Sequence, residues 1–318
     1  MAKKIRVAIT YICYPVAMAR YFHEAMIQDP DIEVWSAGPF TGQQIPWGGG
    51  MKLPESYVLK PSHPTSMTAP PMVSYPMLEK AAPWQPDLWL EVNAGLTAIG
   101  KPTNAPLAMV LTDPHVLADF YVAQRSRADY IFNMQTPYMQ QGDIWLPYGY
   151  SPIWHTETQI PFEERSFDAS LIGLQYDISS VSNQGKGSRN TLAGRLINEQ
   201  KQVFYRLGLA YQDARDVYHN TRVGLNWSSK QDTTARCFEL MAFGLPAVMN
   251  RVPDLVDLFE DGKDFLGFDT EDEAVANINE LLSNKERAVE MGKRARRSVE
   301  PHTWNARVKK ILETAGLA

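Results

Sequence analysis

The sequence predicts an α/β protein made of two consecutive halves, each built on a parallel sheet. Residues 6–35 run strand, helix, strand, and this alternation restarts near residue 165. A third strand–loop–helix–strand unit follows at residues 223–249. Such crossovers join parallel neighbours in one sheet, so each half is expected to be Rossmann-like. The 318-residue length also fits two domains of about 150 residues each.

Composition narrows the class of protein. The net charge of −5 and the pI of about 5.7 disfavour non-specific binding to nucleic acid or to an anionic membrane surface. Cys13 and Cys237 are the only cysteines, so a disulfide framework is not expected. No apolar run is long enough to span a bilayer, and residues 5–12 have the length of a strand rather than of a signal-peptide core. These features predict a cytoplasmic protein without a membrane span.

In the first half, taken as residues 1–155, a strand at 6–12, a helix at 16–26 and a strand at 31–35 begin a doubly wound sheet. Residues 42–76 are rich in Gly and Pro and predict a long loop, which is either a lid that contacts the acceptor or a disordered insertion. Four further apolar runs of strand length complete the sheet, at residues 87–92, 106–111, 129–132 and 143–147.

The second half, taken as residues 156–318, restarts with a strand at 167–173. A loop rich in Gly, Ser and Asn then carries Lys186 and Arg189 before a helix at 191–196. This basic loop either holds a diphosphate or is an ordinary surface loop. Thr270 and Glu273 have the spacing of a capping box at the start of a helix. The last predicted helix, residues 305–315, belongs to this half or packs back on the first.

The segment around which the second half is organised is residues 232–246. Asp232 or Thr233 is expected to cap its helix, and Gly244 followed by Pro246 predicts a sharp end. A helix start above the carboxyl end of a strand favours an anionic ligand such as phosphate. Arg236 and Glu239, three positions apart, form either part of that site or a solvated surface pair.

A second group of candidate residues follows the strand at 106–111. Asp113 and His115 lie at its carboxyl end, where ligands of parallel sheets collect. Either side chain is a candidate catalytic base, and either could instead cap the next helix. No Gly-x-Gly-x-x-Gly follows the first strand, which disfavours a dinucleotide-dependent oxidoreductase.

Several segments of the second half carry a family resemblance over roughly residues 165–315. They are Asn226-Trp227-Ser228-Ser229, residues 236–246 (RCFELMAFGLP), Phe259-Glu260-Asp261-Gly262, and His302-Thr303-Trp304 with Arg307. In order and spacing they resemble the C-terminal half of group 1 glycosyltransferases, and most of all the spore-maturation-protein (CgeB)-like branch. The first half resembles this family only in its strand–helix rhythm.

The resemblance implies a GT-B architecture, in which two Rossmann-like domains face a cleft. It implies a hexosyltransferase-like enzyme with a nucleotide sugar, expected to be a UDP-sugar, on the C-terminal domain and the acceptor on the N-terminal domain. No metal and no further cofactor is expected. The acceptor class, whether glycan, protein or modified nucleobase, stays open, as does the oligomeric state.

The same resemblance implies a role for individual residues. Glu239 is expected to hold the ribose hydroxyls, Thr233 and Thr234 to meet the diphosphate, and Arg189 or Lys186 to neutralise the leaving group. Arg236 either assists or braces Glu239. Asn226 and Asp232 complete the expected donor-binding set.

One position departs from the family pattern. Many relatives carry a second Glu eight positions before the ribose-binding one, whereas Gln231 stands here, next to Asp232. Asp232 is a candidate substitute, and the stereochemical outcome of transfer is left open. The departure also supports an alternative function, that of a non-catalytic nucleotide- or sugar-binding protein that keeps the fold.

Overall fold

The computed structural model describes residues 3–46, 50–66, 73–93, 96–173, 189–228 and 232–318. Contacts divide the chain into two compact units. The first unit comprises Met1–Pro147 and Trp304–Ala318, and the second comprises Tyr148–Thr303. The boundary expected after residue 155 falls inside the second unit, and the final helix belongs to the first.

The first unit contains nine strands and three helices before the chain leaves it, within the described residues. They are β1 (Ile5–Thr10), α1 (Met18–Gln28), β2 (Ile32–Pro39), β3 (His63–Thr65), β4 (Val73–Ser74), α2 (Tyr75–Ala81), β5 (Leu88–Val92), β6 (Ala98–Ile99), β7 (Leu107–Leu111), α3 (Pro114–Gln124), β8 (Tyr130–Asn133) and β9 (Ile144–Trp145). Seven strands form one parallel sheet in the order β3-β2-β1-β5-β7-β8-β9, and β4 pairs with β6.

The second unit carries a five-stranded parallel sheet in the order β11-β10-β12-β13-β14. Its elements are β10 (Phe167–Gly173), α4 (Arg189–Asn198), β11 (Val203–Leu207), α5 (Tyr211–His219), β12 (Thr221–Asn226), α6 (Ala235–Ala242), β13 (Ala247–Asn250), α7 (Pro253–Leu258), β14 (Leu266–Phe268), α8 (Glu271–Ser283) and α9 (Lys285–Val299). The chain then returns to the first unit as α10 (Trp304–Thr314). The predicted pair of parallel α/β sheets is confirmed.

Both sheets have central strands that are buried on both faces, as parallel sheets covered by helices require. Every residue of β5 and β7 is buried, and so is every residue of β13. In each sheet the strand order reverses beside its first strand, between β1 and β5 in the first and between β10 and β12 in the second. These switch points are where open α/β sheets bind ligands, beyond the carboxyl ends of the strands.

The final helix joins the first unit through Trp304. Its indole is 1% exposed, stacks on Tyr21 at 5.6 Å between ring centroids and packs on Phe22 at 5.1 Å. Arg307 Nε donates to the carbonyl of Pro147 at 2.6 Å. The neighbouring ends of the second unit pair with each other, since the Tyr150 N–H donates to the carbonyl of His302 at 3.0 Å.

Part of the segment 42–76 is not loop, contrary to expectation. His63–Thr65 is an edge strand that runs parallel to β2, and a 3-10 turn spans Glu55–Tyr57. Pro64 is compatible with a strand at this position because an edge strand leaves one row of N–H groups unpaired. Residues 47–49 and 67–72 lie outside the described residues.

Two end signals predicted from sequence are confirmed. Gly244 follows the end of α6 with φ +71°, the left-handed conformation that glycine adopts most easily. Thr270 accepts from the Glu273 N–H at 3.2 Å and so caps α8. Across the described ranges, none of the helices has both the length and the apolar content that a membrane crossing needs.

Candidate functional site

The candidate site lies where β12 leads into α6, next to the switch point of the second sheet. β12 ends at Asn226, and Asp232, Thr233 and Thr234 precede the first helical residue, Ala235. The N-cap is Thr234 rather than Asp232 or Thr233, and no side chain accepts a capping hydrogen bond. No capping side chain therefore competes with an anion at the start of α6, although the Cys237 N–H already donates to the Thr234 carbonyl at 3.1 Å.

Asp232 does not cap the helix because its side chain is used by the preceding loop. The Ser228 hydroxyl donates to Asp232 Oδ1, and the Asp232 N–H donates to Ser228 Oγ at 3.0 Å. The Ser228 N–H donates in turn to Asn250 Oδ1 at 2.7 Å. Ser228 thus links Asp232, which precedes α6, to Asn250 at the end of β13.

Two buried polar atoms beside this loop lack a hydrogen-bond partner among the described residues. They are Oγ1 of Thr233, which is 2% exposed as a residue, and Nδ2 of Asn250, which is 4% exposed. Buried polar groups in folded proteins nearly always find a partner. Thr233 Oγ1 and Asn250 Nδ2 are accordingly the strongest ligand-contact candidates at the helix start.

Glu239 and Arg236 form a largely buried ion pair, not a solvated surface pair. Arg236 Nη1 lies 2.8 Å from Glu239 Oε2, with the two side chains 21% and 9% exposed. The guanidinium also lies over the ring of Tyr218, 5.4 Å from its centroid. Burial lowers the effective dielectric around the pair and strengthens its interaction.

The other oxygen of Glu239 faces His155, whose Nε2 is 3.6 Å from Oε1. The Ser151 N–H donates to His155 Nδ1 at 3.0 Å, so the proton of the neutral ring is on Nε2, toward Glu239. Burial lowers the pKa of His155 to about 4; the positive charges of Arg236 and Arg215 lower it further, and Glu239 opposes them. His155 is therefore neutral at physiological pH.

Arg189 begins α4 and reaches the end of β12. Its Nε donates to the carbonyl of Trp227 at 2.6 Å, and burial lowers the pKa of its guanidinium. Lys186, the alternative cation, lies outside the described residues. Asn226 is buried, and its Nδ2 donates to Cys237 Sγ at 3.4 Å. The structure thus brings Arg189 and Asn226 to the same strand end as the α6 residues.

Asp113 and His115 lie in the first unit, at the start of α3. Asp113 is the N-cap residue, yet its side chain makes no capping bond and accepts instead from Thr112 Oγ1 at 2.6 Å. His115 Nδ1 is 3.0 Å from Gln135 Nε2. Because the amide nitrogen donates, the neutral ring carries its proton on Nε2. Asp113 is therefore a better candidate than His115 for a general base at this position.

Comparison with known proteins decides the fold. Residues 178–313 match a family model described as glycosyl transferase-like. An α-glucosyltransferase solved with UDP-glucose and DNA containing an abasic site superposes with a TM-score of 0.61 at 11% identity, covering 98% of this chain and 100% of that one. HepE of Anabaena, solved with UDP and glucose, gives 0.63 at 12% identity, covering 99% and 100%. The fold is GT-B.

A third similar structure is sucrose-phosphate synthase of Thermosynechococcus elongatus, with a TM-score of 0.59 at 12% identity and 98% of each chain covered. No curated protein sequence matches this chain significantly. In this GT-B chain, no group of three or more His, Cys, Asp or Glu among the described residues is placed to hold a metal ion.

Two residues of this site were not predicted from the sequence. His155 lies in the proline-containing stretch after the first half, where no periodic pattern marks it. Asn250 ends β13 and follows an apolar run, so its position at the carboxyl end of a strand is the one signal that could have indicated it. His155 and Asn250 both belong to the second unit, as does Glu239.

Proposed function

We propose that this protein is a glycosyltransferase that moves a hexose from a UDP-sugar to an acceptor hydroxyl without a metal ion. The observation that carries the proposal is the buried Glu239 carboxylate, held by Arg236 and His155 one helical turn inside α6. A carboxylate accepts hydrogen bonds from both hydroxyls of a ribose diol. Structures that share the fold and were solved with UDP-glucose, or with UDP and glucose, support the choice of donor.

The remaining donor contacts follow from the same strand end. Thr233 and Thr234 meet the diphosphate through hydroxyl and N–H groups at the helix start, where the macrodipole favours negative charge. Arg189, next to the end of β12, neutralises charge on the leaving diphosphate. Asn226 contacts Cys237 of α6, and Asp232 is held through Ser228, so both belong to the proposed donor-binding set.

In the proposed reaction the acceptor oxygen forms a bond to the anomeric carbon of the sugar. The bond from that carbon to the diphosphate oxygen breaks, and its electron pair leaves with UDP. The acceptor proton passes to Asp113, which has the stronger case because Nδ1 of His115 already accepts from Gln135 and Nε2 already carries the ring proton. His115 is proposed to donate a hydrogen bond to the acceptor.

Nucleotide binding and turnover test the proposal separately. Melting temperature is measured with UDP, GDP and ADP and with their sugars, and a rise specific to the uridine compounds is expected. Release of UDP from UDP-glucose is then followed with and without candidate acceptors. A protein that shows no shift with any nucleotide does not have this function.

A second candidate function is nucleotide-sugar binding without turnover, which the presence of Gln231 in place of an acid favours. It predicts the same melting shift with no release of UDP under any condition. Release of UDP by wild type that disappears in Glu239→Ala, with melting curves establishing that the variant folds, excludes it.

A further inference from the structure

A cavity of about 270 Å³ opens in the first unit at the carboxyl ends of β7 and β8. Leu111 and Asn133, the last residues of these strands, lie at its base, and α3 forms one wall. The segment Pro137–Gln140 forms another wall. Pro114, which also lines the cavity, is the residue between Asp113 and His115. The cavity therefore adjoins the residues proposed to contact the acceptor.

The charges in the cavity wall cancel each other. Arg125 binds Asp143 through both terminal nitrogens, with Nη2 at 2.8 Å from Oδ2. Burial alone would raise the pKa of Asp143, but hydrogen bonds from Arg125, Gln140 and Asn133 outweigh burial and lower it. The carboxylate stays ionised and offsets the guanidinium. A phosphate or carboxylate entering the cavity would find no cation without a counter-ion in these walls.

The polar groups of the walls are largely used by the protein itself. Asn133 Nδ2 donates to the Tyr138 carbonyl and to Asp143, both at 3.1 Å, and its Oδ1 accepts from the Gln135 N–H at 3.0 Å. Arg125 Nε is buried and makes no hydrogen bond to a described residue. What the walls offer a ligand is thus mainly apolar and aromatic surface.

We infer that this cavity binds a neutral aromatic ring, that of an aromatic alcohol or phenol. That this molecule is the sugar acceptor rests on the proposed function. Tyr121 and Tyr138 supply faces or edges for ring packing. A hexose in the same place would leave several hydroxyls without partners, at a cost for each one. The volume is slightly below the range of about 300–1,000 Å³ for drug-sized ligands and fits a single ring.

The test uses two phenylalanine substitutions on exposed positions of α3. Ala118 lines the cavity and Ala123 does not, although both are exposed alanines of the same helix. Ala118→Phe fills the cavity, and Ala123→Phe is the matched control. Binding of benzyl alcohol, 4-hydroxybenzyl alcohol and methyl α-glucopyranoside to the whole chain is measured by ligand-observed NMR without any nucleotide.

The two aromatic alcohols are expected to bind wild type and Ala123→Phe alike and at least about tenfold more weakly to Ala118→Phe, with no saturable binding of the glucoside. Ala118→Leu, a smaller substitution, should weaken binding in the same direction, and melting curves establish that each variant folds. Absence of aromatic binding to wild type, binding by Ala118→Phe as tight as that by wild type, or binding of the glucoside in the cavity would overturn the inference.

Failure of this inference is distinguishable from failure of the proposed function. If UDP raises the melting temperature but aromatic alcohols do not bind, the cavity assignment is wrong and the transferase proposal stands. If aromatic alcohols bind as described but no nucleotide does, the cavity is a binding site and the transferase proposal is wrong.

Discussion

His155 Nε2 lies 3.6 Å from Glu239 Oε1, while Arg236 Nη1 lies 2.8 Å from the other carboxylate oxygen. One oxygen thus faces a neutral donor and the other a cation. The two contacts orient the carboxylate in a site from which water is largely excluded. Because Ser151 fixes the tautomer of His155, the donor direction is set by the backbone.

Stability should depend on pH through His155. Its pKa is about 4 in the folded chain against 6.5 for the free side chain, so the unfolded state binds more protons between these values. This contribution to stability is fully present above pH 6.5 and is lost as the pH falls toward 4, by about 3 kcal/mol. His155→Gln should show a smaller drop in melting temperature between pH 7 and 4.5 than wild type. Equal pH dependence in both proteins would contradict the buried neutral histidine.

Ribose recognition should depend on Glu239. Wild type is expected to bind UDP about tenfold or more tightly than 2′-deoxy-UDP, because the carboxylate loses one hydroxyl partner. Glu239→Ala should bind both weakly and with little discrimination, as measured by calorimetry. Glu290→Ala, at an exposed acid of α9, serves as the control and should leave both affinities unchanged. Discrimination that survives in Glu239→Ala would place the ribose elsewhere.

The Thr233 hydroxyl should matter for the diphosphate and little for folding. Thr233→Val removes an oxygen that bonds to no described residue, so unfolding free energy should change by less than about 1 kcal/mol while UDP affinity falls about three- to tenfold. Uridine affinity should not change. Thr221→Val is the control for a structural hydroxyl, since the Thr221 hydroxyl bonds to Ser170 and to the Val217 carbonyl. That variant should lose stability and keep the ratio of UDP to uridine affinity.

Trp304 should anchor the first unit. Trp304→Ala is expected to cost about 3–5 kcal/mol in unfolding free energy, because it empties the space against Tyr21 and Phe22. Trp304→Phe should recover part of this. Denaturant unfolding gives the energies, and UDP affinity, which we assign to the second unit, should change little in folded protein. A loss below about 1 kcal/mol would mean that α10 adds little to this core.

Chelation provides a further test of the proposed chemistry. If Arg189 and the start of α6 carry the charge of the diphosphate, release of UDP should persist in EDTA at an unchanged rate. Arg189→Gln should slow release, with Arg195→Gln, on the exposed side of α4, as the control. Activity that is abolished by EDTA and restored by Mg²⁺ or Mn²⁺ would contradict metal-independent transfer.

Local patterns in the sequence predicted what depends on local interactions. The apolar runs that became β7, β12 and β13 were recognisable because strands buried on both faces need continuous apolar side chains. The end of α6 followed from the conformation that Gly244 adopts. The three-residue spacing of Arg236 and Glu239 was enough to expect their pairing.

These local patterns did not predict the contacts between residues that are far apart in the sequence. Asp232 has the chemistry of a helix cap, but Ser228 competes for it, and Asn250 holds Ser228. His155 reaches Glu239 from a stretch without periodicity. Trp304 places α10 in the first unit by packing on α1, a choice that the amphipathic pattern of α10 does not encode.

The pairing of Tyr150 with His302 has a mechanical consequence. The chain enters the second unit near Tyr150 and leaves it near His302, and these two residues are hydrogen-bonded. Both β1 and α10 belong to the first unit. A force applied between β1 and α10 in a single-molecule experiment therefore loads the first unit directly. The second unit is shielded until the first one opens, so the second unit, where we propose that the nucleotide binds, should be the last to extend.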